Sequence, residues 1–446
     1  AYRKHVGGTL TVAEPVEYTN GFKSANDDAQ SALRAAKMHN PRYVAIEQTP
    51  FTAFCASCGV GLAKEHRKLD KENENQREQY LCSSCIRKAD ERNQHRFGYF
   101  LEPFAKAVVG DAYQEYDWAK KPEDVAVFDA RNYVAYVLAD GNGMGKVFSD
   151  CPDKDSLYAL SESLTRELRG SLADATQSLI SRTGEFQNDR HQHLIPTLPL
   201  ILAGDDLFAL IPAPWALDFA RELATKYEER MKPIIKKIDP NAPLPTMGVA
   251  VVICKAKYPY YLAHQHGEEL LSAAKRLGKR LDKEPGKQAR STVTFDIILG
   301  SRLAQEDEES RYRSTLKPYW LGAEEPGWGI GIETLLRQRL LLKNLPHRRL
   351  GQVRAFFDNL PEDRKTRKDW HKRLQSLLKR IAHHPDHKEA AKEALTALGG
   401  KTDDNPFYDV QRLTDKKSWW GHALPDLLDA WDFAYSLDEP LTAYEE

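Results

Sequence analysis

No run of apolar residues in this 446-residue sequence is long enough to cross a bilayer, and its start lacks a signal-peptide pattern. The expectation is a cytosolic chain with no membrane partner. A dominant charge is also missing, since the formal net charge is -1. Basic and acidic runs alternate, so any contact with nucleic acid has to use local basic patches. The sequence shows no His-Asp nuclease constellation. Cysteine is sparse, with six in all. Cys55/Cys58 and Cys82/Cys85 form two close pairs, while Cys151 and Cys254 stand alone. In a cytosolic chain that pattern argues for metal rather than disulfides. What remains is ordinary for a globular protein, at 41% hydrophobic and 29% charged residues, with length enough for two to four domains.

Along the chain, Thr9 to Val12 reads as a strand stopped by Pro15, followed by a helix around Ala25 to Lys37 and a short strand at Tyr43 to Ile46. The polar stretch from Lys64 to Gln79 reads as an exposed helical finger or a mobile loop. Residues 132–139 read as a buried strand closed by Asp140. Leu157, Leu160, Leu164, Leu168, Leu172 and Leu179 then recur at helical spacing. Strands are expected at Leu198 to Leu202 and Leu207 to Ile211, joined by a turn at Ala203-Gly204-Asp205-Asp206. A helix with Phe219, Leu223 and Tyr227 on one side follows, then a strand from Met247 to Ile253. A basic helix near 261–281 and a strand at Thr292 to Phe295 complete the region. Strand, helix, strand, strand, helix, strand is the split βαβ order of a ferredoxin-like fold. It places the hairpin turn beside the end of the first strand, where Asp140 lies. Residues 299–446 read as a helical C-terminal domain, with Leu335, Leu336 and Leu340 on one stripe and a last helix from Ala423 to Phe433.

The carboxylates carry the chemistry. Nucleotidyl transfer uses two divalent ions, Mg²⁺ or Mn²⁺, to bridge a triphosphate and activate a hydroxyl. Asp140 after an apolar strand, with Asp205 and Asp206 between two apolar strands, supplies such a site. A charged set there is costly to bury without metal or a cationic partner. Gly141, Asn142, Gly143 and Gly145 form a segment able to curl around phosphates, and Gly204 lets the hairpin approach them. Lys146 and Lys275 are candidate phosphate contacts. Asp-Gly-Asn-Gly and Gly-Asp-Asp are also ordinary turn sequences; their combination with this strand order favours the metal site.

Cys55-Ala-Ser-Cys58 and Cys82-Ser-Ser-Cys85 are separated by 23 residues. Two such knuckles complete a closed four-thiolate site for structural Zn²⁺. His383, His384 and His387 lie in a polar basic stretch and read as solvated surface, and the same caution covers His191, His193, His264 and His266. Arg364 to Arg380 holds eight Lys or Arg, which is either a backbone-tracking face for RNA or the solvated side of a helix. Gly7-Gly8-Thr9-Leu10 up to Pro15 echoes Gly204-Asp205-Asp206-Leu207 up to Pro212. Either any α/β unit looks this way, or a palm is duplicated and its first copy cannot bind metal.

These residues together resemble the large palm-containing subunit of type III CRISPR effector complexes. The telling parts are Asp140-Gly141-Asn142-Gly143-Met144-Gly145-Lys146, the Gly204-Asp205-Asp206 turn and Ala273-Ala274-Lys275. The resemblance implies an α/β (α+β) chain in five parts: an incomplete first palm at 1–50, a zinc-ribbon module at 51–100, a connecting segment at 101–130, a ferredoxin-like second palm at 131–298, and a helical domain at 299–446. It implies conversion of ATP into cyclic oligoadenylates when target RNA binds, with guide RNA and other effector subunits as partners. Asp140 and Asp205 would be the first metal ligands and Asp206 a ligand or close support. Ala203 stands in place of the first glycine of GGDD, and Asn142 where some members have an aspartate. DNA cleavage by a His-Asp domain is not expected. Two other readings stay open: a scaffold subunit that binds nucleotide or RNA without turnover, and a diguanylate-cyclase-like enzyme, whose GG(D/E)EF turn is here Ala-Gly-Asp-Asp-Leu-Phe.

Overall fold

The structure, a computed structural model, describes residues 11–18, 21–39, 53–59, 61–69, 76–94, 98–183, 193–241, 244–281, 290–299, 315–322, 330–343, 347–357, 364–381, 389, 393–394, 396–399, 408–411 and 418–438. The chain divides into two compact units, one of residues 1–106 with 148–158, the other of 107–147 with 159–446.

In the first unit, α1 (Phe22–His39) covers the expected helix. Residues 11–18 are irregular and Val12 is exposed, so the predicted first strand does not include Thr11 and Val12. Thr9, Leu10 and the expected strand at 43–46 lie outside the described residues. The polar stretch after Lys64 corrects the expectation of a helical finger or loop. Its two ends are β1 (Glu65–Arg67) and β2 (Gln79–Leu81), paired antiparallel with Glu65 opposite Leu81. Each end adjoins a cysteine pair, so gathering the cysteines lays the two segments side by side. Next come α2 (Ser83–Gln94), whose Asp90 carboxylate pairs with the Arg67 guanidinium, and α3 (Gly98–Val109).

In the second unit, β3 (Asp117–Trp118) and α4 (Pro122–Ala126) lead to β4 (Tyr133–Gly141). There follow α5 (Met144–Ser149) and α6 (Lys154–Thr183), whose residues 148–149 and 154–158 count with the first unit, then β5 (Leu194–Ile195), β6 (Leu198–Ala203), β7 (Asp206–Pro212), α7 (Ala216–Ile238), β8 (Met247–Lys255), α8 (Tyr260–Leu281), β9 (Thr292–Ile297) and β10 (Tyr319–Trp320). The main sheet has the order β10-β9-β8-β4-β7-β6. Four consecutive strands, β8-β4-β7-β6, reproduce the ferredoxin-like arrangement read from the sequence, and β9 extends it in parallel beside β8.

β4 lies at the centre because nearly all of its residues are apolar and both of its faces are covered. Val134, Tyr136 and Leu138 point to one face. They join Phe208 and Leu210 of β7, Ala250 and Val252 of β8, and Ala263, Leu270 and Leu271 of α8 in one core. By strand alternation Ala135, Val137, Ala139 and Gly141 face the other way. Phe219, Leu223, Tyr227, Met231 and Ile235 recur every fourth residue on α7 and are all buried. The two ends of this alternation place the site: Asp140 on the α8 side, Gly141 on the opposite one.

Residues beyond 330 include α9 (Ile332–Leu342), α10 (His347–Phe357) and α11 (Arg364–Ile381). To the helices of this region the structure adds a two-stranded ribbon of β11 (Tyr408–Gln411) and β12 (Ser418–Gly421). The last helix is shorter than expected. α12 (Ala423–Asp429) gives way to a tight 3-10 turn at Trp431–Phe433. Just past that turn the chain is fastened to α7. The buried Asp218 carboxylate accepts from the Leu437 N–H at 2.7 Å and from the Ser436 hydroxyl at 3.1 Å, and it also pairs with Arg221. The Tyr435 N–H donates to the Pro214 carbonyl at 3.1 Å. Among the described residues no helix is long and apolar enough to cross a membrane.

Candidate functional site

Three carboxylates converge at one end of the sheet. Asp140 comes from the end of β4, Asp205 from the turn between β6 and β7, and Asp206 from the first position of β7. One oxygen from each lies within 4.8 Å of the others. The turn is tight, with Ala203 paired to Asp206 across Gly204 and Asp205. Gly204 has φ +65°, and of these two central residues it alone has positive φ. Glycine at the first central position with positive φ is the type II′ hairpin requirement. Gly204 is therefore needed by the backbone itself, and its N–H is steadied by the Thr165 hydroxyl of α6 at 3.3 Å.

Electrostatics mark the cluster. Burial, then the negative charge of Asp140, pushes the Asp205 carboxyl up to about 6. The same two causes, in the same order, raise Asp206, and Lys275 opposes them. Lys275, from α8, forms an ion pair with Asp140. It stands against the carboxylates, where the sequence reading had it touching phosphate. Carboxylates that raise one another's pKa and gather around a cation are suited to divalent metal.

Gly141 has a specific duty. A Cβ there would lie 2.7 Å from the Tyr227 hydroxyl, 2.8 Å from Met144 Cγ and 3.1 Å from Asp205 Cβ. Its missing side chain makes room for protein, whereas the sequence reading assigned that room to phosphate. Tyr227 is the residue that sequence reasoning missed as part of the site. Burial first, then the charges of Asp205 and Asp140, holds its phenol well above the usual range. The available signal was its place as the single hydroxyl in the Phe219, Leu223, Tyr227, Met231, Ile235 series.

Asn142 is held by Thr246: its N–H donates to the Thr246 carbonyl at 2.7 Å and its side-chain amide to the Thr246 hydroxyl at 3.1 Å. Gly143 has φ +71° and starts α5, where Gly145 and Lys146 are exposed. The structure thus brings together Asp140, Asp205, Asp206, Gly141 and Lys275, and leaves Gly143, Gly145 and Lys146 on an exposed rim.

The cysteines form the second cluster. Cys55, Cys58, Cys82 and Cys85 each offer a sulfur, all within 4.8 Å of one another. Cys58 and Cys82 sulfurs are 3.8 Å apart. A tetrahedral zinc with bonds of about 2.3 Å requires sulfur separations of about 3.8 Å, so the donor set fits the ion. Cys82 precedes α2 and Cys85 lies in its first turn. Gly61 is dictated by the cluster, because a Cβ there would come within 2.8 Å of Cys82 Cβ. Burial works to raise the Cys55 thiol, but backbone N–H groups of Cys82, Cys58 and Ser57 bring it down to about 6. Burial pushes Cys85 up to about 12.

The remaining sequence candidates do not join either cluster. His266 is buried and bound to Asp296 at 2.7 Å, which corrects its reading as solvated surface. His191 and the 383–387 histidines lie outside the described residues. On α11, Trp370 and Leu374 are buried, with the Trp370 ring tilted against Phe356 at 4.7 Å, and Lys372, Arg373, Lys379 and Arg380 are exposed.

Fold and site together define a palm domain with a carboxylate centre at its strand end. Residues 133–282 match the family described as Cas10/Cmr2, second palm domain. Among solved structures, the apo state of a type III-B Cmr-beta complex is similar at 10% identity over 94% of this chain and 61% of that one, with a TM-score of 0.41. Csm1 of T. onnurineus is similar at 16% identity over 71% of this chain and 40% of that one, with a TM-score of 0.36. A Csm1-Csm4 cassette in complex with cA4 matches at 16% identity over 42% of this chain and 24% of that one, with a TM-score of 0.27. This chain thus spans between 24% and 61% of the lengths of these structures. No curated protein matches it.

Proposed function

We propose that the second unit is a metal-dependent nucleotidyltransferase that converts ATP to cyclic oligoadenylates as the palm subunit of a type III CRISPR effector complex, with guide and target RNA and other effector subunits as its partners. The observation that carries this reading is the convergence of Asp140, Asp205 and Asp206 within 4.8 Å, inside the segment that matches the Cas10/Cmr2 palm. Two Mg²⁺ or Mn²⁺ ions supply charge stabilisation on the triphosphate and acidify the attacking hydroxyl. The chain's own groups hold and orient. Asp140 would bind from the end of β4 and Asp205 from the β6–β7 turn, which the sheet fixes relative to each other, with Asp206 beside them. Lys275 offsets the Asp140 charge and is the cation available to a phosphate at that end of the sheet. Gly204 keeps the turn tight so that both of its aspartates face Asp140. In the transfer, the 3′-hydroxyl of one nucleotide attacks the α-phosphate of another. The bond to the bridging oxygen breaks, pyrophosphate leaves, and the hydroxyl proton passes to solvent.

The test is incubation of the full chain, alone and within its RNA-bound complex, with labelled ATP and Mg²⁺ or Mn²⁺. Oligoadenylate formation that disappears in the Asp205→Ala/Asp206→Ala double variant is expected. Complexes that assemble yet give no product under any condition would replace this reading with a scaffold role. Guanylate product from GTP would replace it with a diguanylate-cyclase-like one.

A further inference from the structure

Tyr227 is buried at 0% exposure, and its hydroxyl has no hydrogen-bond partner among the described residues. It is also aimed at the carboxylate centre. The point 2.7 Å from this hydroxyl, over the Gly141 Cα, is 3.1 Å from Asp205 Cβ. Gly141 directly follows Asp140 on β4, so the hydroxyl is directed at the gap where the strand end meets the hairpin turn. An unpaired buried hydroxyl is destabilising, because it has left water without gaining a partner. Phenylalanine would fill the same stripe of α7 without that cost, and Phe219 does so two turns earlier. A hydroxyl here, with a glycine opposite it, is suited to a hydrogen-bonding group that comes from outside the polypeptide. Divalent ions of the kind carboxylates hold keep several of their waters, and groups around a metal orient its ligands through hydrogen bonds.

We propose that Tyr227 is a positioning residue of the metal centre, its Oη accepting a hydrogen bond from a water bound to the ion held by Asp140 and Asp205. This rests on the metal-site reading of those two aspartates. Tyr227 approaches from the α7 side of the sheet and Lys275 from the α8 side, so the centre is braced from both faces.

The experiment is a Mn²⁺ titration of the full, zinc-replete chain followed by electron paramagnetic resonance, for wild type, Tyr227→Phe and Asp205→Asn. Thermal melts without added manganese or magnesium are run in parallel. Wild type is expected to bind and Asp205→Asn to lose that binding. Tyr227→Phe should bind about tenfold or more weakly, while its metal-free melting point stays level or rises because the unpaired hydroxyl is gone. Wild-type Mn²⁺ affinity in Tyr227→Phe, with binding still lost in Asp205→Asn, overturns the role of Tyr227 and leaves the metal site standing. A metal-free melting point that falls sharply in Tyr227→Phe also overturns it, because the residue is then structural. Absence of saturable binding in the wild type removes both readings together.

Discussion

The two clusters of ligating side chains are built on opposite plans. The cysteines sit on short knuckles whose regular neighbours, among the described residues, are a ribbon of two three-residue strands and the start of one helix. The carboxylates sit on the ends of long strands inside a six-stranded sheet, with buried helices behind them. Take the sulfurs' partner away and little remains to hold residues 53–94 in place. Take the carboxylates' partner away and the sheet persists, carrying the mutual repulsion that raises Asp205 and Asp206. One centre makes its surroundings, and the other is imposed by them. On the proposed reading, that would separate an ion for folding from ions for chemistry.

Stripping zinc is the strongest way to break this comparison. A structural zinc contributes on the order of 10 kcal/mol to folding of its module. Chelation, or Cys82→Ser, is therefore expected to abolish hydrogen-exchange protection across β1, β2 and α2 while the amides of β4 stay protected. Loss of protection in β4 as well would show that the clusters are not independent. Asp205→Ala/Asp206→Ala should do the reverse: product formation falls by at least about 100-fold, as for loss of central charge-stabilising groups, with the melting temperature preserved or raised. Gly141→Ala should cost about 1–3 kcal/mol by overpacking against Tyr227 and Met144, measured by urea denaturation. Adding Tyr227→Phe should restore part of that loss.

The smallest effect concerns pH. The Asp205 carboxyl is raised to about 6, above its unfolded value near 4. Its contribution to stability is thus fully present below about pH 4 and is lost as pH rises through 6. Without divalent metal, Asp205→Asn should gain on wild type across that window, by about 1–2 kcal/mol at pH 7 once solvent screening is allowed for. Denaturation curves of both proteins at pH 4, 5, 6 and 7 would show it; parallel curves would mean that Asp205 titrates as an ordinary surface acid. Mn²⁺ affinity should fall below pH 6, because protons compete for the same carboxylate.

The palm was legible because its signals are local. Apolar strands of six to nine residues, a Gly-Asp-Asp turn and i, i+4 apolar stripes each follow from short stretches of chain. The four-cysteine site was legible from spacing alone. What escaped depends on residues far apart in sequence. Tyr227 joins the site through a close approach to Gly141, and Asn142 is claimed by Thr246, which lies 104 residues on. The Glu65–Arg67 and Gln79–Leu81 ribbon escaped because its strands are three residues long and mostly polar, too short to carry a strand pattern; the cysteine pairs impose it. The β11–β12 ribbon lay in a region whose neighbouring segments carry helical periodicity.

The fastening of Asp218 by Ser436 and Leu437 has a consequence for anyone dividing this protein. The carboxylate is 1% exposed and takes two of its hydrogen bonds from residues 218 and 219 positions downstream. A fragment ending near residue 298 would carry every strand that bears the aspartates, yet it would remove the Ser436 and Leu437 donors and uncover the first turn of α7, where Asp218 lies. The helix that presents Tyr227 would then begin at a loosened hinge. The smallest piece that folds as the palm does here is accordingly discontinuous in sequence. It is stitched shut by a thread from the far end of the described chain, and recombinant boundaries drawn from strand order alone would cut that thread.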